Sequence, residues 1–182
     1  MDLLKVTHEN VLKEIEKRIK DGTHGMLYMS VNVPMAFVHK EMQVDKDVCQ
    51  SMGYNVYEAF YNGGTIISNQ GDFAFAHFDQ PENGLHNRFV PYFVNWLKTK
   101  GLNAEYIRND ILVDGYKVCG LCVTRYGRID YTVVFISVNT NLDHIKAICR
   151  KPMVKVPKGL SEWGITTEEV EEMFLQFCEQ NK

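Results

Sequence analysis

A chain of 182 residues with a formal charge of −3, 45 % of it hydrophobic and 24 % charged, has the composition of one globular domain with a proper core. It carries no basic block of the kind a nucleic-acid surface needs, and no stretch approaches the roughly twenty apolar residues of a membrane helix. Five cysteines, an odd number, read as free thiols rather than a disulfide framework or zinc ribbon; with no signal-peptide core at Met1–Lys5, the expectation is a soluble cytoplasmic protein.

Taken in order, Val11, Leu12, Ile15 and Ile19 recur at helical spacing between His8 and Lys20, and Gly22 closes the run. Met26 to Val31 and Ala36 to His39 read as strands, and Asp45 to Met52 as a short helix ended by Gly53. Three more strands follow at Tyr54–Tyr57, Thr65–Ile67 and Phe73–Phe78. Tyr61-Asn62-Gly63-Gly64 leads into the second of them, and Ser68-Asn69-Gln70-Gly71-Asp72 joins it to the third. Glycines let the backbone approach a ligand and present N–H donors to an anion, but on their own Gly63 and Gly64 read as an ordinary hairpin turn. His77 alternates with phenylalanines and reads as a packed histidine. Val90, Phe93, Val94 and Leu97 line a helix from Asn87 to Lys100, stopped by Gly101.

The segment Arg108-Asn109-Asp110-Ile111-Leu112-Val113-Asp114-Gly115-Tyr116-Lys117-Val118-Cys119-Gly120 combines a strong hairpin signal with polar groups a hairpin does not need. Asp114-Gly115 between apolar runs predicts a two-residue turn, because both residues tolerate positive φ. That turn pairs Val113 with Tyr116, Leu112 with Lys117, Ile111 with Val118 and Asp110 with Cys119. Asp110 and Lys117 then share a face as diagonal neighbours, with Cβ atoms roughly 7–8 Å apart. A one-residue bulge would undo this register. On spacing alone the two charges read as an ion pair on a solvated strand face.

Beyond the hairpin, Tyr131 to Val138 is apolar on both faces and reads as an interior strand. Asn141 suits the N-cap of a helix through Leu142, Ile145, Ile148 and Cys149, and Lys151 to Gly159 reads as an extended basic connector. Thr166, with Glu169 three residues on, predicts a capped terminal helix whose Val170, Met173, Phe174 and Phe177 pack back on the sheet. Strands and helices in no simple alternation give an α+β fold, expected as a single unit of N-terminal helix (1–22), core (23–162) and C-terminal helix (163–182).

Asn109-Asp110, a short strand, then Lys117 followed three residues later by Gly120 resembles the central motif of the biotin/lipoate protein ligase family, and Arg108-Asn109-Asp110 resembles its lipoate-protein ligase form. Two further matches fall in the family's order: Tyr61 to Asp72 resembles its glycine-rich segment, and Val138-Asn139-Thr140-Asn141-Leu142-Asp143 its Asn-x-Asn/Asp-Leu segment. The resemblance implies a mixed, largely antiparallel sheet flanked by helices, similar to class II synthetases. It also implies activation of lipoate or octanoate with ATP and Mg²⁺ to an acyl-adenylate, then transfer to a lysine of an acceptor lipoyl domain. Lys117 and Asp110 would be catalytic, Asp110 the Mg²⁺ ligand, and Gly63, Gly64, Thr65, Ser68, Gly71, Asn109, Gly120 and Asn139 the nucleotide- and acyl-binding residues. Where the family carries an Arg pair before the glycines, this chain has Glu58-Ala59, and the usual His is Ser68. Two other readings follow from the same fold: an octanoyl- or lipoyltransferase using Cys149 as a thioester, and a silent ligand- or carrier-binding protein. Biotin ligation is disfavoured because the Gly-Arg-Gly-Arg type segment of that branch is absent. Neither nucleic acid nor membrane is an expected partner.

Overall fold

The structure, a computed structural model, describes residues 2–38, 44–58, 65–80, 84–150 and 153–181. Gly63, Gly64 and Ala59 lie outside the described residues.

Among the described residues ten strands and five helices follow in the order β1 (Leu3–Lys5), α1 (Val11–Asp21), β2 (Gly25–Ser30), β3 (Met35–Val38), α2 (Lys46–Ser51), β4 (Asn55–Glu58), β5 (Ile66–Ser68), β6 (Phe73–Asp79), α3 (His86–Thr99), β7 (Ala104–Ile107), β8 (Asp110–Val113), β9 (Tyr116–Tyr126), β10 (Ile129–Ile136), α4 (Leu142–Ile148) and α5 (Thr167–Gln180), with a 3₁₀ turn at Leu160–Trp163 before α5. Seven strands form one sheet in the order β1-β2-β6-β10-β9-β8-β7, antiparallel except for β1 beside β2. β4-β3-β5 form a second, smaller mixed sheet. The expected mixed, largely antiparallel α+β architecture is the observed one.

Alternation along β6 and β10 explains why both faces of the large sheet are covered. Phe73, Phe75, Val134 and Ile136 point to one side, into a core with Phe89 and Phe93 of α3 and Met173, Phe174 and Phe177 of α5. Phe174 sits among Tyr28, Phe73 and Phe75, with ring centroids 5.4, 5.3 and 4.7 Å away; burying one such ring contributes about 2–3 kcal/mol. On the other face Ala76, Phe78 and Tyr131 pack with Val11 and Ile15 of α1 and with Met35 and Phe37 of the small sheet. The small sheet's far side, with Ala36 and Val38, meets Cys49 of α2 and Ile148 of α4.

Two strands, β1 and β7, were not expected from the sequence, and the short helix, the interior strand and the capped terminal helix fall within a few residues of their predicted bounds. β7, β8 and β9 form a meander through two tight turns. Asp114 and Gly115 have φ of 50° and 82°, the positive values the Asp-Gly signal demands, and Arg108 and Asn109 make a second such turn with φ of 49° and 66°. Among the described residues no helix is long and apolar enough to cross a membrane.

Candidate active site

The predicted pairing holds next to the turn, with Val113 opposite Tyr116 and Leu112 opposite Lys117, and then changes. Ile111 pairs with Cys119 and Asp110 with Gly120, so Val118 is an extra residue on β9. The expected pairs Ile111–Val118 and Asp110–Cys119 are therefore corrected by one residue. The bulge exists because Val118 and Cys119 both turn into the same core, which leaves Lys117 and Gly120 together on the opposite face. It does not separate the charges: Lys117 Nζ lies 2.7 Å from Asp110 Oδ1. The three-residue spacing from Lys117 to Gly120 acquires a physical reason here. A Cβ at Gly120 would stand 3.1 Å from both Cε and Nζ of Lys117 and 3.6 Å from Asp110 Oδ1, so the missing side chain is the room in which the lysine lies.

Asp110 has a second cation that the sequence did not reveal. Lys155 Nζ donates to Asp110 Oδ2 at 2.7 Å and to the Ile107 carbonyl at 2.9 Å. The described part of the segment read as an extended basic connector, residues 153–159, is a strap docked on the sheet: Lys117 N donates to Val156 O at 2.9 Å and Lys158 N to Lys117 O at 3.0 Å. Asn109 is exposed at the β7–β8 turn. Its Oδ1 accepts from Tyr106 Oη at 3.2 Å, and its carbonyl accepts from Leu121 N at 2.8 Å.

Phe135, opposite Gly120 in register, lines an almost wholly apolar cavity of about 40 Å³ between the two sheets and α1, with Leu27, Met35, Phe37, Ile66 and Val133 in its wall. Lys117 and this cavity share a face of the large sheet.

A third cluster joins the β5–β6 connection to the end of β10. Asp72 is buried, and its carboxylate accepts from Asn69 N at 2.7 Å, Val138 N at 2.7 Å and Asn139 N at 2.9 Å. Burial outweighs these three donors and pushes the carboxyl up to about 6. Gly71, at φ 93°, lies so close beneath Asn139 that a Cβ would meet Nδ2 at 2.0 Å; Nδ2 donates to Gln70 O at 3.2 Å. Thr167 Oγ1 donates to Gly71 O. Asn69 Oδ1 accepts from Tyr54 Oη at 2.5 Å, and burial pushes that phenol up to about 12. Ser68 Oγ and Asn69 Nδ2 are buried with no hydrogen-bond partner among the described residues, an uncommon condition that a polar ligand would relieve. Thr65 stands half-buried just before β5.

The structure thus brings Asp110, Lys117 and Gly120 into contact, and separately Gly71 with Asn139, while Asp72 and Lys155 are site residues that the sequence reading passed over. Glu58 brings no positive charge from the end of β4; its carboxylate lies 2.9 Å from Lys46 Nζ. Cys149 forms an isolated bridge with Val44, and burial pushes its thiol up with no offsetting cation among the described residues, the reverse of what a thiolate nucleophile needs. Cys119 and Cys122 have C-x-x-C spacing, but Cys119 is buried in the α3–α5 core, whereas Cys122 sits opposite Val133 on the cavity face.

The donor set at Asp110 does not fit a protein-held Mg²⁺. Both carboxylate oxygens are already engaged by ammonium groups, and among the described residues no group of three His, Cys, Asp or Glu could hold a metal ion.

The largely antiparallel sheet flanked by helices is a fold shared with solved lipoate-protein ligases. The chain belongs to the family of the lipoyl protein ligase A/B catalytic domain, whose model matches residues 15–177. A protein of Thermoplasma acidophilum solved with bound lipoic acid has 16 % identity and a TM-score of 0.77, over 98 % of this chain and 84 % of that one. Lipoate-protein ligase A bound with ATP has 17 % identity and a TM-score of 0.79, over 98 % and 83 %. A bi-partite lipoate protein ligase from Thermoplasma acidophilum, described with its E2 lipoyl domain, has 17 % identity and a TM-score of 0.77, over 98 % and 82 %. At such identities these likenesses establish the fold. A sequence comparison with curated proteins found no match.

Proposed function

We propose that this protein is an ATP-dependent lipoate-protein ligase that activates lipoate, or octanoate, and passes the acyl group to a lysine of an acceptor lipoyl domain. The observation that carries the reading is the placement of the Lys117 ammonium, laid over Gly120 on the same sheet face as the apolar cavity. A lipoyl or octanoyl chain needs apolar walls and its carboxylate needs a cation; at about 40 Å³ the cavity takes only part of such a chain, so its walls must part to admit the rest. The similar structures support the reading with lipoic acid, ATP and a lipoyl domain in their descriptions.

A free carboxylate is a poor electrophile, so amide formation requires a better leaving group. One carboxylate oxygen attacks the α-phosphorus of ATP and pyrophosphate departs; the acceptor lysine amine then attacks the acyl carbon and AMP departs. Neither step needs a side-chain nucleophile. What the protein supplies is alignment and charge. Lys117 stabilises the oxygens that gain negative charge, and Asp110 orients Lys117. Ser68, Gly71 and Asn139, with Thr65 and Asn109, border the nucleotide and acyl groups, and the unpartnered Ser68 Oγ and Asn69 Nδ2 offer polar contacts.

Acid-dependent exchange of labelled pyrophosphate into ATP, run in parallel with lipoate, octanoate and biotin, tests this directly. Wild type should exchange with lipoate or octanoate, and Lys117→Ala should lose about 10²-fold or more. Folded wild-type protein that exchanges with none of the acids would sink the proposal.

A further inference from the structure

We propose that Lys155 is a second ligand-facing cation of this site, and that Lys117 and Lys155 together seat the anionic linkage of the acyl-adenylate. This rests on the adenylating reading above and names a residue that reading leaves out.

The argument begins with charge. Lys117 and Lys155 each lie 2.7 Å from one oxygen of Asp110, and among the described residues neither contacts another carboxylate. Two ammoniums on one carboxylate leave one positive charge uncompensated. The trio is not sealed off, since the side chains of Lys117, Lys155 and Asp110 keep 38 %, 24 % and 17 % of their surface exposed, enough for an anion to reach both lysines. Nor is Lys155 placed by chance. The strap is registered against β9 through both backbone bonds of Lys117 and a parallel bridge from Lys117 to Pro157, so its ammonium is delivered to the same carboxylate as Lys117.

The neighbouring strap lysine shows the contrast. Lys158 Nζ lies 3.1 Å from Glu162 and over the rings of Trp163 and Tyr116, at 4.5 and 5.0 Å. Its charge is matched and its side chain is held elsewhere. Lys155 and Lys117 share the unmatched charge at Asp110, the carboxylate that holds the lysine assigned to the chemistry. A single negative charge between two ammoniums completes the set, as the linkage of an acyl-adenylate would.

The test uses the full-length protein and a sulfamoyl analogue of lipoyl-adenylate, an anionic mimic that cannot react, titrated calorimetrically at two salt concentrations. Lys155→Met keeps the aliphatic stem, Lys155→Arg keeps the charge, and Lys158→Ala perturbs the strap without touching Asp110; thermal melts confirm that each is folded. Lys155→Met should bind about 10- to 100-fold more weakly and with a shallower salt dependence, while Lys155→Arg and Lys158→Ala stay within about threefold of wild type. Three results overturn the inference while leaving the adenylating reading intact: Lys155→Met binding like wild type, Lys155→Arg losing as much as Lys155→Met, or Lys158→Ala losing as much. Wild type that fails to bind the mimic defeats the adenylating reading itself, and this inference with it.

Discussion

Gly120 is the position where one missing methyl group carries the most information. Its backbone lies in ordinary strand conformation, so alanine there meets no backbone strain; what it meets is the end of Lys117, 3.1 Å away. A lysine stem can yield by a few tenths of an ångström, and the fold should tolerate the change. Gly120→Ala is therefore expected to stay within about 1 kcal/mol of wild-type stability in urea unfolding. Its rate of pyrophosphate exchange should still fall by about tenfold to a hundredfold, because a displaced cation no longer meets the developing charge. Full activity in that variant would mean that Lys117 does not work from the position seen here. Asn109 gives the complementary lesson. It was legible as part of a motif, yet its φ of 66° and its bond from Tyr106 show a turn residue in a conformation asparagine accepts more readily than most.

Among the elements, α5 shows what local sequence decides unaided. Thr166 Oγ1 accepts from Glu169 N at 3.3 Å, and Glu169 Oε2 accepts from Thr166 N at 3.0 Å, a reciprocal cap read directly from the Thr-x-x-Glu spacing. Thr166→Ala should lower unfolding free energy by about 1 kcal/mol, measured by chemical denaturation, and an unchanged midpoint would show that packing of Phe174 and Phe177 alone fixes the helix start. The hairpin was equally legible, because Asp114-Gly115 states its own turn. Its bulge was not: Val118 and Cys119 are both apolar, and the pattern reads the same whether they take one face or two. β7 escaped notice because of its four residues only Ala104 is buried, so no alternation marks it. Lys155 meets Asp110 across 45 residues through a backbone bridge, and a contact of that kind leaves no local signal to read.

At the scale of the whole molecule, Asp72 ties the two sheets' connections together, since one carboxylate holds Asn69 after β5 and the Val138-Asn139 backbone after β10. Its pKa of about 6 in the fold, against an ordinary 3.8, makes stability depend on pH in a definite direction. Between those values the folded protein holds a proton that the unfolded chain has released, so stability falls as pH rises through the window and levels off above about 6. The difference corresponds to about 3 kcal/mol, taken at order of magnitude for a group this deeply buried. Tyr54, bonded to the neighbouring Asn69, is pushed up to about 12 and stays neutral throughout. Asp72→Asn removes the titration while keeping an oxygen for the Val138 and Asn139 donors. Urea unfolding of both proteins at about pH 4 and about pH 7 should therefore show wild type gaining about 2–3 kcal/mol relative to the variant at the lower pH, other carboxylates cancelling in the comparison. A gap that stays constant would mean that the three N–H donors offset the burial completely. A gap that widens toward neutral pH would mean that they outweigh it, and that the carboxylate strengthens the joint between the sheets instead of straining it.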